Sequence, residues 1–157
     1  MLGGLRAIYY DHKHSEDAQE GFRSGAAWLV VPNPDGGLDS DSRIQIAANS
    51  LHALEQHGVV DELSRLDFAI GPLAPGRDAV LAPGALDRAA HILYEADRKT
   101  YGKVWEFVIG QAEGPGLPEP IAYRIVIDNR EYQRTLARLQ FLVTTAGRLG
   151  LGVRLRL

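Results

Sequence analysis

Residues 121–157 restrict the fold most, because the spacing of their apolar residues changes twice. Apolar residues alternate with others over 121–127, which is typical of a strand. They then recur every three or four positions between Tyr132 and Ala146, which indicates an amphipathic helix. Alternation returns over 153–157, where arginines separate the apolar residues. A strand, a helix and a strand in this order are consistent with a right-handed crossover between parallel strands.

Alternating patterns upstream predict the other strands. Trp105, Phe107 and Ile109 share one face, and a loop rich in glycine and proline leads to the next strand, so we expect this pair to be antiparallel. Residues 15–31 indicate a short helix and a buried strand, with one longer helix as the alternative. The predicted strands are residues 7–12, 26–31, 104–110, 121–127 and 152–157.

Helical spacing fills much of the remaining chain. Capping residues at 39–42 precede a predicted helix that continues to His57 and has an apolar stripe from Ile44 to Leu54. Residues 59–66 and 85–101 have the same spacing. These elements predict an α+β fold, with a mixed sheet of about five strands and three to four helices packed mainly on one face.

The segment between those helices is different. Residues 68–84 are rich in proline and glycine, so we expect irregular structure with one short strand at 79–82. No repeat or linker divides the chain, and 157 residues is the usual size of one domain. Residues 1–157 are therefore predicted to form a single globular domain.

Composition excludes several classes of chemistry. The chain has no cysteine, which removes thiolate nucleophiles, disulfide frameworks and cysteine-ligated metals. It has no glycine-rich phosphate loop, dinucleotide-binding motif or nucleophile elbow, so no cofactor is predicted. We see no signal peptide and no apolar run long enough to span a bilayer, and we expect a cytoplasmic protein without membrane association.

Charge is distributed unevenly along the sequence. Residues 1–120 carry 10 basic and 18 acidic side chains, whereas residues 121–157 carry seven arginines and two acids. Three of these arginines are spaced by four on the predicted last helix, and others lie on the polar faces of the last two strands. Arginine binds carboxylates with two donors at once, so these residues are candidates for binding an acidic protein surface. The candidate residues are Arg124, Arg130, Arg134, Arg138, Arg154 and Arg156.

A purely structural interpretation of these arginines is also open. The basic C-terminal part can pack against the acidic remainder of the chain, and Glu106 can pair with Arg124 across neighbouring strands. Nucleic acid is disfavoured as a partner, because the isoelectric point is about 5.9 and no exposed aromatic row accompanies the arginines. Homo-oligomer formation stays open.

A second candidate site lies near the N-terminus. His12 and His14 project to the same side of an extended segment, so their imidazoles can share one metal ion, with Asp11, Glu16 or Asp17 completing the ligand set. No second motif with ligand spacing follows. The alternative is a polar strand end with solvated histidines.

The helix predicted at 85–101 carries two further sets of ionisable residues. Asp87, His91 and Glu95 form a row opposite the apolar stripe, so we expect them to be solvated. Asp97 instead continues the apolar stripe. We expect it at the edge of the domain, and burial there would raise its pKa and make it a functional candidate.

These observations favour a non-enzymatic, cytoplasmic protein-binding module, such as an immunity-like or adaptor protein, that uses an arginine-bearing C-terminal helix and a sheet face. The expected partner is another protein with an acidic surface. The alternative function is a small metal-dependent hydrolase centred on His12 and His14.

Overall fold

The computed structural model describes residues 6–10, 23–31, 42–103, 105–112, 115–116, 121–127 and 129–157. Within these residues it contains eight strands and four α-helices. The strands are β1 (Arg6–Tyr10), β2 (Gly25–Val30), β3 (Ile44–Ile46), β4 (Phe68–Ile70), β5 (Asp78–Leu81), β6 (Trp105–Ala112), β7 (Ile121–Ile127) and β8 (Gly152–Arg156). The helices are α1 (Ala48–Gln56), α2 (Val59–Ser64), α3 (Leu86–Thr100) and α4 (Asn129–Leu149).

The larger sheet has five strands in the order β3-β2-β8-β5-β4, and every neighbouring pair is antiparallel. A separate three-stranded sheet has the order β1-β7-β6. In it β1 runs parallel to β7, and β6 runs antiparallel to β7, which confirms the antiparallel pair expected from the sequence. The α+β class is confirmed, with the predicted strands divided between these two sheets.

The strand–helix–strand unit at the C-terminus is not a parallel crossover. β7 belongs to the three-stranded sheet, whereas β8 lies between β2 and β5 in the larger one and is antiparallel to both. α4 therefore leads from one sheet to the other. The reason is that alternation defines a strand but does not identify the strand it pairs with.

Residues 44–46 correct the predicted start of the first helix. They form β3, in which Ile44 and Ile46 are buried and Gln45 is exposed, and they pair with β2. Apolar residues at 44, 47, 48 and 51 also fit a helical stripe, so the two periods overlap here. Pairing with β2 decides between them, and α1 begins at Ala48.

One further strand, β4, lies in the segment predicted to be irregular, whereas β5 agrees with the short strand expected there. The core lies between the helices and one face of the five-stranded sheet. All sheet residues of the core cluster are on that face, and they form one cluster with apolar residues of the four helices. The sheet contributes Ala27, Ile44, Ile46, Leu81, Val153, Leu155 and Leu157. The opposite face, called the outer face below, carries Trp28, Asp78, Arg154 and Arg156.

α4 packs mainly against α3 and also contacts α1 and the strands β8, β2 and β3. One stripe of α4 is buried in the core through Tyr132, Leu136, Leu139, Val143 and Ala146. The stripe repeats every three or four residues, as the sequence predicted, so the arginines between its members are left on the exposed side. In the part of the chain that is described, no helix is both long and apolar enough to cross a membrane.

Candidate functional site

A groove between α4 and β3 brings together three of the arginines predicted to bind a partner. Arg130, Arg134 and Arg138 are spaced by one helical turn and are all exposed. They line a cavity of about 430 Å³. Its other lining residues are Gln45, Ala47, Glu131 and Thr135.

The electrostatic character of this cavity is cationic. Its lining includes three arginines and one acidic residue, Glu131. Among the described residues, Arg134 and Arg138 form no ion pair. The cavity also borders Ala47, the N-cap of α1, which provides no side-chain cap. The partial positive charge of that helix end adds to the field of the arginines.

The neighbouring stretch of the groove is apolar. A second cavity of about 440 Å³ lies between the C-terminal half of α4 and the β2–β3 edge of the sheet. Phe141 forms part of its wall and is 74% exposed. The remaining lining residues are Leu29, Ser42, Arg43, Ile44, Ala137, Arg138, Leu142 and Thr145.

Arg138 lines both cavities, so they are neighbours, and together they are called the α4–β3 groove below. β3 follows it on the sheet side, with Ile44 at the apolar end and Gln45 at the cationic end. The groove thus offers guanidinium donors at one end and an exposed aromatic ring at the other. Such a surface can bind a chain that carries both acidic and apolar side chains.

The structure places Arg154 and Arg156 elsewhere. Both lie on the outer face of the sheet and donate to Asp78, with Arg154 Nη1 3.0 Å and Arg156 Nε 2.6 Å from the two carboxylate oxygens. The hydrogen bond from Arg156, followed by that from Arg154, lowers the pKa of Asp78 below its usual value. These two arginines therefore neutralise a carboxylate of their own chain.

Trp28 completes this cluster on the outer face. The guanidinium carbon of Arg156 is 5.5 Å from the centroid of the indole ring, and that of Arg43 is 5.4 Å away. Both distances are typical of cation–π contacts. Trp28 is itself buried, so the ring serves the internal packing of this face.

Arg124 lies on β7, in the other sheet. The register places Arg124 opposite Val108 and Glu106 opposite Val126. Glu106 and Arg124 are therefore not directly opposite partners. The six candidate arginines consequently divide among α4, β7 and β8, and the three on α4 line one cavity.

The proposed metal ligands His12 and His14 lie outside the described residues, so the metal site stays a prediction. Within the described residues, no group of three or more histidine, aspartate or glutamate side chains is arranged to hold a metal ion. In the row on α3, Glu95 pairs with Arg98, and that pairing lowers the pKa of Glu95.

The interior between the helices holds polar groups that include Asp97, which the sequence placed on the apolar stripe of α3, and Tyr132 and His57, which it did not single out as sites. Tyr132 is fully buried, its ring lies 5.5 Å from that of His57, and its hydroxyl has no hydrogen-bond partner within the described residues. Burial, and secondarily the charge of Asp97, raises the pKa of Tyr132. Burial also lowers the pKa of His57 and raises that of Asp97, which is half-buried near the end of α3.

Asn49, in the first turn of α1, is also buried. It is 3% exposed, and neither atom of its side-chain amide has a hydrogen-bond partner in the described part of the chain. The neighbouring Ser50 does have a hydrogen-bond partner, because its hydroxyl accepts from that of Thr135 on α4 at 3.3 Å. None of the cavities described above is lined by Asn49 or Tyr132, so these groups belong to the interior.

Two features of the groove were missed by sequence analysis. Phe141 falls outside the buried stripe of α4. A large apolar residue on the exposed side of a helix could have indicated a binding surface. β3 was assigned to a helix, so its contribution to the groove could not be anticipated. Comparisons with protein-family models, with curated proteins and with solved structures found no match, so the groove is interpreted from its own chemistry.

Proposed function

We propose that this chain is a protein-binding module whose α4–β3 groove receives an acidic segment of a partner protein. The observation that carries the proposal is the meeting of Arg130, Arg134 and Arg138 with the exposed ring of Phe141 in one groove. Acidic side chains of the partner bind at the arginine end, and an apolar side chain packs against Phe141. No catalytic step is included.

The state of the arginines supports this assignment. Arg154 and Arg156 already have a carboxylate within hydrogen-bond distance, whereas Arg134 and Arg138 have no ion-pair partner among the described residues. An acidic ligand supplies that partner, and a guanidinium group can hold a carboxylate through two parallel hydrogen bonds. Arginine and large aromatic residues are also enriched at the centres of protein interfaces.

The distribution of charge along the chain supports binding of an acidic partner at α4 rather than elsewhere. Residues 1–120 carry an excess of eight acidic side chains, so an acidic partner is repelled by much of the chain and attracted to the arginines of α4. We also propose a cytoplasmic location, because a protein without cysteine is compatible with a reducing compartment.

The experiment is a selection from a random peptide library displayed on phage, with peptides longer than the groove. We expect the wild-type protein to enrich peptides that combine several acidic residues with an aromatic or aliphatic residue. Binding of the selected peptides is then measured against Arg134→Glu/Arg138→Glu. We expect a loss of at least about a hundredfold in affinity, because two favourable charge pairs become repulsive.

The matched control is Arg77→Glu/Arg148→Glu. Both of these arginines are exposed and lie outside the two cavities of the groove, and the change in net charge is the same. We expect this variant to lose only a small part of the affinity, through the weaker long-range field. Equal losses in the two variants, or selected peptides without acidic enrichment, would contradict the proposal.

A further inference from the structure

The α4–β3 groove follows the backbone edge of β3. Four consecutive residues, 42–45, line it. Consecutive side chains of a strand point to opposite faces of its sheet. Accordingly Ile44 is buried in the core, whereas Arg43 stacks on Trp28 at the outer face. Because consecutive residues, which belong to both faces, line the groove, we place it along the edge of β3.

β3 is at the end of the five-stranded sheet. On one side it pairs with β2, and among the described residues no strand pairs with its other side. The backbone N–H and C=O groups on an open edge are a template for another extended chain. Leu29, in the neighbouring strand, already has its N–H bonded to the Ser42 hydroxyl at 2.9 Å, so this corner of the sheet is held in place.

We propose that the groove binds its ligand by strand addition: an extended segment of the partner pairs with the open edge of β3 and becomes a sixth strand of the sheet. This inference rests on the proposed function and specifies the conformation of the bound segment. The segment lies between β3 and α4, with one row of its side chains directed toward α4.

The length of the groove sets the length of the segment. The lining residues of α4 extend from Arg130 to Thr145, which is a rise of about 22 Å. An extended chain covers that distance in about seven residues. β3 itself has three residues, so the backbone pairing is confined to the middle of the segment and its ends are held by side chains.

The polarity of the groove sets the order of side chains. The arginines face Gln45 and Ala47, whereas Phe141 and Leu142 face the chain at 42–44. Acidic residues therefore belong to one end of the segment and an apolar anchor to the other. Because alternate residues of a strand share a face, the acidic residues that contact the arginines should be spaced by two.

The test uses the tightest peptide from the phage selection and replaces one backbone N–H at a time by N-methyl. This change removes a hydrogen-bond donor and leaves the side chain intact. Strand addition requires that N-methylation at alternate positions in the middle of the peptide reduces affinity by at least about tenfold, whereas the intervening positions tolerate it. Strand addition would be overturned if N-methylation left the affinity unchanged at every position, or if it reduced the affinity over one continuous run of positions.

Hydrogen exchange on the intact protein provides the second readout. The bound peptide should slow exchange at the edge of β3, within residues 44–46. β4, at the opposite end of the same sheet, is the matched control, because it is also a short edge strand and lies outside the groove. Slowing at both edges, or at neither, would contradict the inference.

These outcomes separate the two proposals. If the peptide requires Arg134 and Arg138 but tolerates every N-methyl group, the protein-binding function stands and strand addition fails. If no acidic peptide is selected, the function fails as well. If N-methylation reduces affinity at alternate positions and hydrogen exchange slows at β3 but not at β4, both the protein-binding function and strand addition are supported.

Discussion

The Nε atom of Arg156 lies 2.6 Å from a carboxylate oxygen of Asp78, across the register that places these two residues opposite each other on β8 and β5. Arg154 donates to the second oxygen of the same carboxylate. Two groups of arginines near the C-terminus thus differ in their surroundings. Arg154 and Arg156 of β8 pair with a carboxylate of the sheet, whereas Arg130, Arg134 and Arg138 of α4 line a groove.

Replacing Asp78 by alanine should destabilise the fold. Two hydrogen-bonded ion pairs are lost and two guanidinium groups are left close together, so we expect the free energy of unfolding to fall by about 1–2 kcal/mol. The measurement is urea denaturation. The control is Asp61→Ala, which removes the exposed pair with Arg65 and should cost no more than about 0.5 kcal/mol. Equal costs would show that the Asp78 cluster is not a stabilising element.

The same carboxylate gives a dependence on pH. Because the pKa of Asp78 is lower in the folded protein than the ordinary value of 3.8, its contribution to stability is fully present above that value. It is lost as the pH falls through the folded pKa. We therefore expect the stability of Asp78→Ala to fall less steeply than that of the wild type under acid conditions. Parallel curves from denaturation at a series of pH values would contradict this.

His52 and His57 should make the protein less stable in mild acid. Burial lowers the pKa of both, partly opposed at His52 by the charge of Glu55. The unfolded chain therefore binds protons at a higher pH than the folded one, and stability is lost as the pH falls below about 6.5. We expect thermal unfolding of His52→Gln/His57→Gln to change less between about pH 7 and about pH 5 than that of the wild type. Identical changes would exclude these histidines as the cause.

Two substitutions of Tyr132 distinguish the contribution of apolar packing to stability from that of hydrogen bonding. Its ring is fully buried, and its hydroxyl has no hydrogen-bond partner in the described parts of the chain. Removing the hydroxyl in Tyr132→Phe should leave stability unchanged or raise it by up to about 1 kcal/mol, because a buried polar atom is removed. Tyr132→Ala should lose about 3–5 kcal/mol through the cavity it creates. A large loss in Tyr132→Phe, measured by denaturant unfolding, would show that the hydroxyl has a partner.

Phe141 should matter for binding and not for folding. Because the side chain is 74% exposed, Phe141→Ser should change the free energy of unfolding by no more than about 0.5 kcal/mol. The same substitution should reduce the affinity for the selected acidic peptides by about tenfold, because the apolar contact is lost. Fluorescence polarisation measures the affinity, and denaturation checks the fold. Unchanged affinity would remove the apolar end of the groove from the binding site.

The sequence predicted most elements of the fold but not how the strands combine. The spacing of apolar residues identified α3, α4, β7 and β8, because a regular apolar period continues along the sequence of each. It could not show that β7 and β8 belong to different sheets, since pairing depends on residues far apart in the chain. β3 was missed because three residues are too few to distinguish a strand period from a helical one.

The sequence predicted only part of the candidate site, because it does not show which distant residues come together. The spacing of Arg130, Arg134 and Arg138 showed that they share a face of a helix. Nothing in the sequence showed that β3 lies beside that face and closes the groove. Likewise, the pairing of Arg156 with Asp78 joins residues far apart in sequence, and the alternation within β8 could not reveal it.

In the proposed function, the α4–β3 groove and not the outer face of the sheet receives the acidic partner. The most direct measurement is chemical-shift mapping by NMR as the selected acidic peptide is added to the wild-type protein. We expect the largest changes at backbone amides of residues 42–47 and 130–145. Changes centred instead on residues 78–81 and 152–156, around Asp78 and Arg156, would contradict the claim.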